Sequence, residues 1–193
     1  MKKRRIMKEN EGYSLIEMII VIAIIAVMSA AAMVTISIIH NAKAKEAAST
    51  LEDALFEVQN NAKGKVCVVN GTQEKEYRYA LCVYKDGAKY YARKGYYKGN
   101  DLPKNEAASY EFVASENVGS GKGSSFSTYV SVKYVDSTGT SRDVGTGDNA
   151  VYIVYDKQGN CMYGYGQFEF YRSGKNNLLN TLVLNKNGSH TSD

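Results

Sequence analysis

Proline and glycine are withheld from the first third of this chain: of 193 residues only Pro103 is proline, and of 17 glycines only Gly12 lies before position 64. Residues 13 to 63 contain neither helix breaker, which excludes a turn-rich start and predicts one long helix. Aromatics are scarce there too, since of 16 tyrosines and 5 phenylalanines only Tyr13 and Phe56 precede residue 65. The boundary near Gly64 is therefore sharp, with β-formers and turn residues gathered behind it. A formal net charge of +4 is too small to make nucleic acid or acidic lipid the default partner. The two histidines, His40 within the long helix and His190 in the polar tail, belong to no triad motif, so no catalytic triad is expected. The three cysteines include no C-x-x-C pair and give no zinc signature, and the length excludes a large multidomain enzyme.

What is present begins with a basic leader, Lys2, Lys3, Arg4, Arg5 and Lys8, followed by an uncharged run from Met18 to Ile39 broken only by Ser29, Thr35 and Ser37. As a helix this run spans about 33 Å, against a bilayer hydrocarbon core of about 30 Å. It can cross a membrane once, with the basic end held in the cytoplasm and the remainder sent outward. A secretory signal peptide cut near Ser29-Ala30-Ala31-Ala32 and an uncleaved signal anchor both explain a basic start and an apolar run. Against the first, helical periodicity continues unbroken past Ile39. Against both stands Glu17 at the entry to the run, because a carboxylate deeper in a membrane helix costs roughly 2.5 to 3.5 kcal/mol and calls for a partner.

The segment Gly12-Tyr13-Ser14-Leu15-Ile16-Glu17, with its basic leader and some 20 apolar residues behind it, resembles the processing signal of type IV prepilins and pseudopilins. The resemblance implies cleavage by a prepilin peptidase after Gly12, N-methylation of Tyr13 by the same enzyme, and an assembly role for Glu17. Tyr13 and Ser14 stand where Phe and Thr are commoner, and Val34 stands where many pilins carry a proline that softens the helix. Cleavage would remove the basic leader and leave a cationic amine about four residues, roughly 6 Å of helix, below Glu17. With helices stacked about one turn apart, that carboxylate can meet a neighbour's amine, selecting register more than adding stability because desolvation offsets much of the attraction. The alternative is that Glu17 folds back on its own Tyr13 amine.

The resemblance further implies partners: other pilin subunits, the peptidase and methylase, an inner-membrane platform protein and an assembly ATPase, with membrane lipid around the precursor before assembly. It implies a single-pass precursor in the cytoplasmic membrane, its head outside, and a cell-surface pilus afterwards. The expected fold class is α+β, a long N-terminal helix packed on an antiparallel β-sheet head. The domains read as leader 1–12, membrane and filament-core helix 13–41, amphipathic helix 42–64 and head 65–193. In the third segment Ala44, Ala47, Ala48, Leu51, Ala54, Leu55, Val58 and Ala62 recur every three or four residues, a stripe suited to lie on a sheet.

Behind Gly64, strands are predicted over residues 66–69, 77–84, 88–93, 110–114, 126–135, 150–155 and 161–171, separated by turn signals such as Asp86-Gly87 and Gln158-Gly159-Asn160. Short connections favour antiparallel meanders. If residues 66–84 form a hairpin, Cys67 and Cys82 could face each other and form a disulfide in an exported domain; free or buried thiols are the alternative. Residues 118–124 approach a phosphate loop, but Gly123 occupies the Ser/Thr position and Glu116 the place of the first glycine. Asp136, Asp143, Asp148 and Asp156 lack EF-hand spacing and read as solvated turns. The stretch Lys85–Lys98 interleaves cations and aromatics. Lys89, Arg93, Lys94 and Lys98 could meet phosphates while Tyr90, Tyr91, Tyr96 and Tyr97 stack on bases, or the stretch is an edge strand whose lysines deter aggregation and whose tyrosines alternate into the core. No enzymatic activity, cofactor or metal is expected. Three readings stay open: a structural subunit of a pilus or secretion pseudopilus; a minor or tip subunit binding a ligand, including DNA in uptake; and an uncleaved, signal-anchored surface protein.

Overall fold

The stretch without glycine or proline forms one α-helix, α1 (Leu15–Gly64), which ends on Gly64 with Lys63 in its last turn. The small residue and the cation suit a helix C-terminus and its partial negative charge. The computed structural model describes residues 13–69, 71–98, 112–113, 121–126, 129–146 and 149–192. The leader with Gly12, Glu116, residues 118–120, Asp148, and parts of the predicted strands 110–114 and 126–135 lie outside them. The chain divides after Ile39 into two units, Met1–Ile39 and His40–Asp193.

In the first unit the described apolar side chains of α1 are bare within this single chain, Leu15 80% and Val27 71% exposed. Two of its hydroxyls bond back to the helix: Ser29 Oγ donates to the Ile25 carbonyl at 2.7 Å and Thr35 Oγ1 to the Ala31 carbonyl at 3.1 Å. Such back-bonding hides a hydroxyl from an apolar solvent. The helix runs through Val34 without interruption.

The second unit holds the rest of α1 and the strands β1 (Cys67–Val69), β2 (Thr72–Glu74), β3 (Tyr77–Asp86), β4 (Lys89–Lys98), β5 (Phe112–Val113), β6 (Ser124–Phe126), β7 (Val130–Asp136), β8 (Ser141–Asp143), β9 (Val151–Tyr155), β10 (Cys161–Tyr163), β11 (Gly166–Arg172), β12 (Leu178–Leu184) and β13 (His190–Ser192). Among the described residues β1 and β2 form a ribbon, one sheet runs β10-β9-β3-β4-β5 with β6 also on β4, and a second runs β13-β12-β11-β7-β8. Every pairing is antiparallel. The α+β expectation is met.

The alanine-rich stripe is the contact face of α1, with all eight of its residues at most 5% exposed. Small side chains let the helix approach closely. The stripe shares one core with Leu81, Val83 and Tyr96 of the first sheet and Phe168, Phe170 and Leu182 of the second. Each fully buried Leu or Phe contributes about 1.5–3 kcal/mol over an exposed one.

A polar clamp joins the end of this stripe to the sheets. The buried Gln59 amide donates to the carbonyls of Gly159 (2.8 Å) and Gly188 (3.1 Å), tying together the β9–β10 and β12–β13 turns. Gly188 has φ +80°, and a Cβ there would overlap the Gly159 carbonyl and the Gln59 amide nitrogen, so glycine is required twice over.

Two sequence expectations change. β4 is an interior strand, bonded to β3 along ten residue pairs and to β5 and β6 on its other side, and not an edge. Residues 178–184, absent from the predicted strands, form β12 in the second sheet.

Candidate functional site

The start of α1 is built by two side chains. Ser14 precedes the helix; its Oγ accepts from the Glu17 backbone N–H at 3.2 Å, while Glu17 Oε2 accepts from the Ser14 N–H at 2.8 Å. The Ser14 carbonyl takes the first helical bond, from Met18 N–H at 3.2 Å. This is a reciprocal capping box, which satisfies two amide donors that a helix start leaves open. It also places a carboxylate at the positive end of the helix dipole. The S-x-x-E pattern at 14–17 is legible in the sequence, but the role of Ser14 went unread there.

Tyr13, 84% exposed, sits just ahead of this cap. Behind it lies the one helix, among the described residues, that is long and apolar enough to cross a membrane. Glu17 is thus neither buried nor loose, but held on the residue adjoining Tyr13. Its other oxygen, Oε1, makes no hydrogen bond among the described residues.

The remaining sequence candidates scatter. Strand alternation in β4 parts the basic stretch. Tyr90, Lys94 and Lys98 share one side and Lys89 and Arg93 the other. Tyr90 is core, stacked on Phe126 with centroids 5.9 Å apart. Lys94 is ion-paired with Glu57 of α1, and Lys98 lies 5.8 Å from the Tyr77 ring centre. No single surface collects the five.

The Cys67–Cys82 bridge is also corrected, for the three cysteines are free and buried. Cys67 belongs to the main core, whereas Cys82 lies on the opposite side of β3, level with Arg93 and Tyr152 in the neighbouring strands. The expected hairpin over residues 66–84 does not form: β3 pairs with β4, and β1 pairs with β2. Burial pushes the Cys67 thiol up to about 11 and those of Cys82 and Cys161 up to about 12, so all three are neutral, poor nucleophiles near pH 7.

Asp136 and Asp156 cap turns: Asp136 accepts from the Thr138 and Thr140 amides, and Asp156 from those of Gln158 and Asn160. Among the described residues no three His, Cys, Asp or Glu side chains converge as metal ligands would.

Comparison with known proteins returns one finding, and it falls on the capped helix: residues 7–33 match the model of the prokaryotic N-terminal methylation motif. That motif is the type IV prepilin signal, and it supports reading the chain as a pilin- or pseudopilin-like precursor. The motif implies pilin subunits and prepilin peptidase as partners in general. Neither a curated protein nor a solved structure matches the chain.

Proposed function

We propose that this chain is a non-enzymatic structural subunit of a type IV pilus or secretion-type pseudopilus, polymerised through the first half of α1. The observation that carries the reading is the Ser14–Glu17 cap at the mouth of a bare apolar helix, inside the methylation motif. The precursor lies once across the cytoplasmic membrane, with its basic leader inside and residues 40–193 outside. A peptidase cuts after Gly12 and methylates Tyr13. A platform protein and an ATPase then drive extraction, since moving so much apolar surface out of lipid needs an energy source.

The cap refines how Glu17 acts. With Oε2 engaged on its own Ser14 amide, Oε1 can accept a neighbour's ammonium without the helix start being undone. The carboxylate is held in place before assembly, which reduces the ordering cost of an intersubunit pair.

Two substitutions separate the roles. Glu17→Gln keeps an amide oxygen for the cap and loses the charge, whereas Ser14→Ala keeps the charge and loses half the cap. Glu17→Gln is expected to abolish shear-recovered fibres while residues 40–193 remain folded, and Ser14→Ala to reduce them less. Fibres of normal yield from Glu17→Gln would refute the pairing. Mass spectrometry of the N-terminus tests the processing: a methylated Tyr13 start is expected, and a leader retained in fibres would refute it.

A further inference from the structure

The second unit begins at His40, the residue that follows Ile39, where the apolar run ends. A run of about 33 Å against a hydrocarbon core of about 30 Å puts the bilayer interface, on the topology proposed above, close to His40 in the chain. Whatever the second unit packs against His40 therefore comes near the headgroup layer. That residue is Tyr129: the two rings meet edge to face, with centroids 6.0 Å apart, and His40 Nδ1 is buried. Tyr129 itself stays 51% exposed, just ahead of β7.

Tyr129 in turn holds the β11–β12 turn. Its carbonyl accepts from the Ser173 N–H at 3.1 Å, Val130 is level with Arg172, and the turn closes with the Lys175 N–H donating to the Arg172 carbonyl at 2.9 Å. Leu178, 47% exposed, follows at the start of β12. Three segments thus come together at this end of the second sheet: 40–45, 129–132 and 170–179. They contain Lys43, Lys45, Arg172 and Lys175 and not one Asp or Glu. Lys43 is paired with Glu46, whereas Arg172 and Lys175 make no ion pair among the described residues. The small net charge of the whole chain conceals this local excess.

An exposed tyrosine and leucine beside cations, with no acid among them, suit the boundary between acyl chains and anionic headgroups. The patch also adjoins the bilayer before any second copy is engaged. We propose that the end of the second sheet formed by Tyr129, Arg172, Lys175 and Leu178 docks on anionic lipid headgroups while the precursor is membrane-bound. The inference rests on the membrane topology of the reading above.

The test uses the full chain in liposomes of phosphatidylcholine with and without phosphatidylglycerol. Because the three natural thiols are buried, a nitroxide reagent labels an introduced surface cysteine selectively. Three single variants carry the label: Asn176→Cys in the turn, Ser137→Cys beyond the far end of β7, and Ser29→Cys within the apolar run. Electron paramagnetic resonance then reads relaxation by nickel chelated to the headgroups. With phosphatidylglycerol the label at 176 should relax strongly. The label at 137, about 20 Å further along a seven-residue strand, should relax weakly. Salt should reduce the effect at 176. Each cation contributes about fivefold to such a contact at low salt, so Arg172→Gln combined with Lys175→Gln should lower the docked-to-free ratio about 25-fold. A label at 29 shielded in lipid, with 176 no closer to nickel than 137, would overturn this inference alone. A label at 29 exposed to water would overturn the topology and the inference with it. Spin–spin broadening between 176 labels on two copies, in place of relaxation by headgroup nickel, would assign the patch to a second copy and overturn the lipid contact.

Discussion

Replacing Gln59 by Met keeps the length and approximate volume of the side chain while deleting the amide that holds two turns together. The Gly159 and Gly188 carbonyls both belong to buried residues and both accept from the same Nε2. Stranding a buried acceptor costs about 1–3 kcal/mol, so the pair is worth about 2–6 kcal/mol. At about 2–4 °C per kcal/mol for a unit of this size, Tm should fall by about 4–24 °C. The measurement is thermal unfolding of the full chain in micelles, followed by near-ultraviolet circular dichroism of its tyrosines. Gly188→Ala, which pushes a Cβ into the same junction, should also lower Tm. A shift of less than about 2 °C in Gln59→Met would refute the view that this amide, and not apolar packing alone, fixes the two turns to α1.

Ser14→Ala removes one arm of the cap and should cost about 0.5–2 kcal/mol at the helix start, seen as faster hydrogen exchange at the Glu17 amide; unchanged protection would count against the cap. Asp136 is held below the usual carboxylate range, chiefly by the Thr138 hydroxyl and then by the Thr140 and Thr138 amides. Because its folded pKa lies below the unfolded one, its stabilisation is present above the unfolded value near 4 and is lost as pH falls through the folded value. An NMR titration should therefore give a depressed midpoint that rises in Thr138→Ala, and an ordinary midpoint in the wild type would sink the assignment. The three thiols should resist Ellman's reagent in the native protein at pH 8 and all react after denaturation; rapid labelling of the native fold would contradict their burial.

Much of this architecture is legible in the sequence because its signals are local. The absence of breakers over 13–63 gives α1, and the alanine spacing gives its buried face residue by residue. What escaped depends on partners distant along the chain. β12 places Asn180 at an inward position between Phe170 and the Leu182 and Leu184 side of the sheet, and that polar interruption disguises its alternation. β4 resembled a charged edge because five cations accumulate around it, yet β5 and β6 return from later sequence to cover it. The clamp at Gln59 has no local signature at all, since its acceptors lie 100 and 129 residues away. At the N-terminus the S-x-x-E pattern of the cap is local and legible, but the pattern alone does not show that Glu17 serves both as a charge and as a cap.

The order in which the core is completed bears on export. The apolar stripe of α1 is among the earliest parts of the second unit to be synthesised, while Phe168, Phe170, Leu182 and Leu184, which help to cover it, come some 110 to 140 residues later. β13 finishes the enclosure, with Ser192 Oγ donating to Glu52 on α1 at 3.1 Å. On the topology proposed above, a chain still passing through a translocon exposes a sticky helical face until its last strands emerge, which makes this interval the one in which a holding chaperone or a protease meets it.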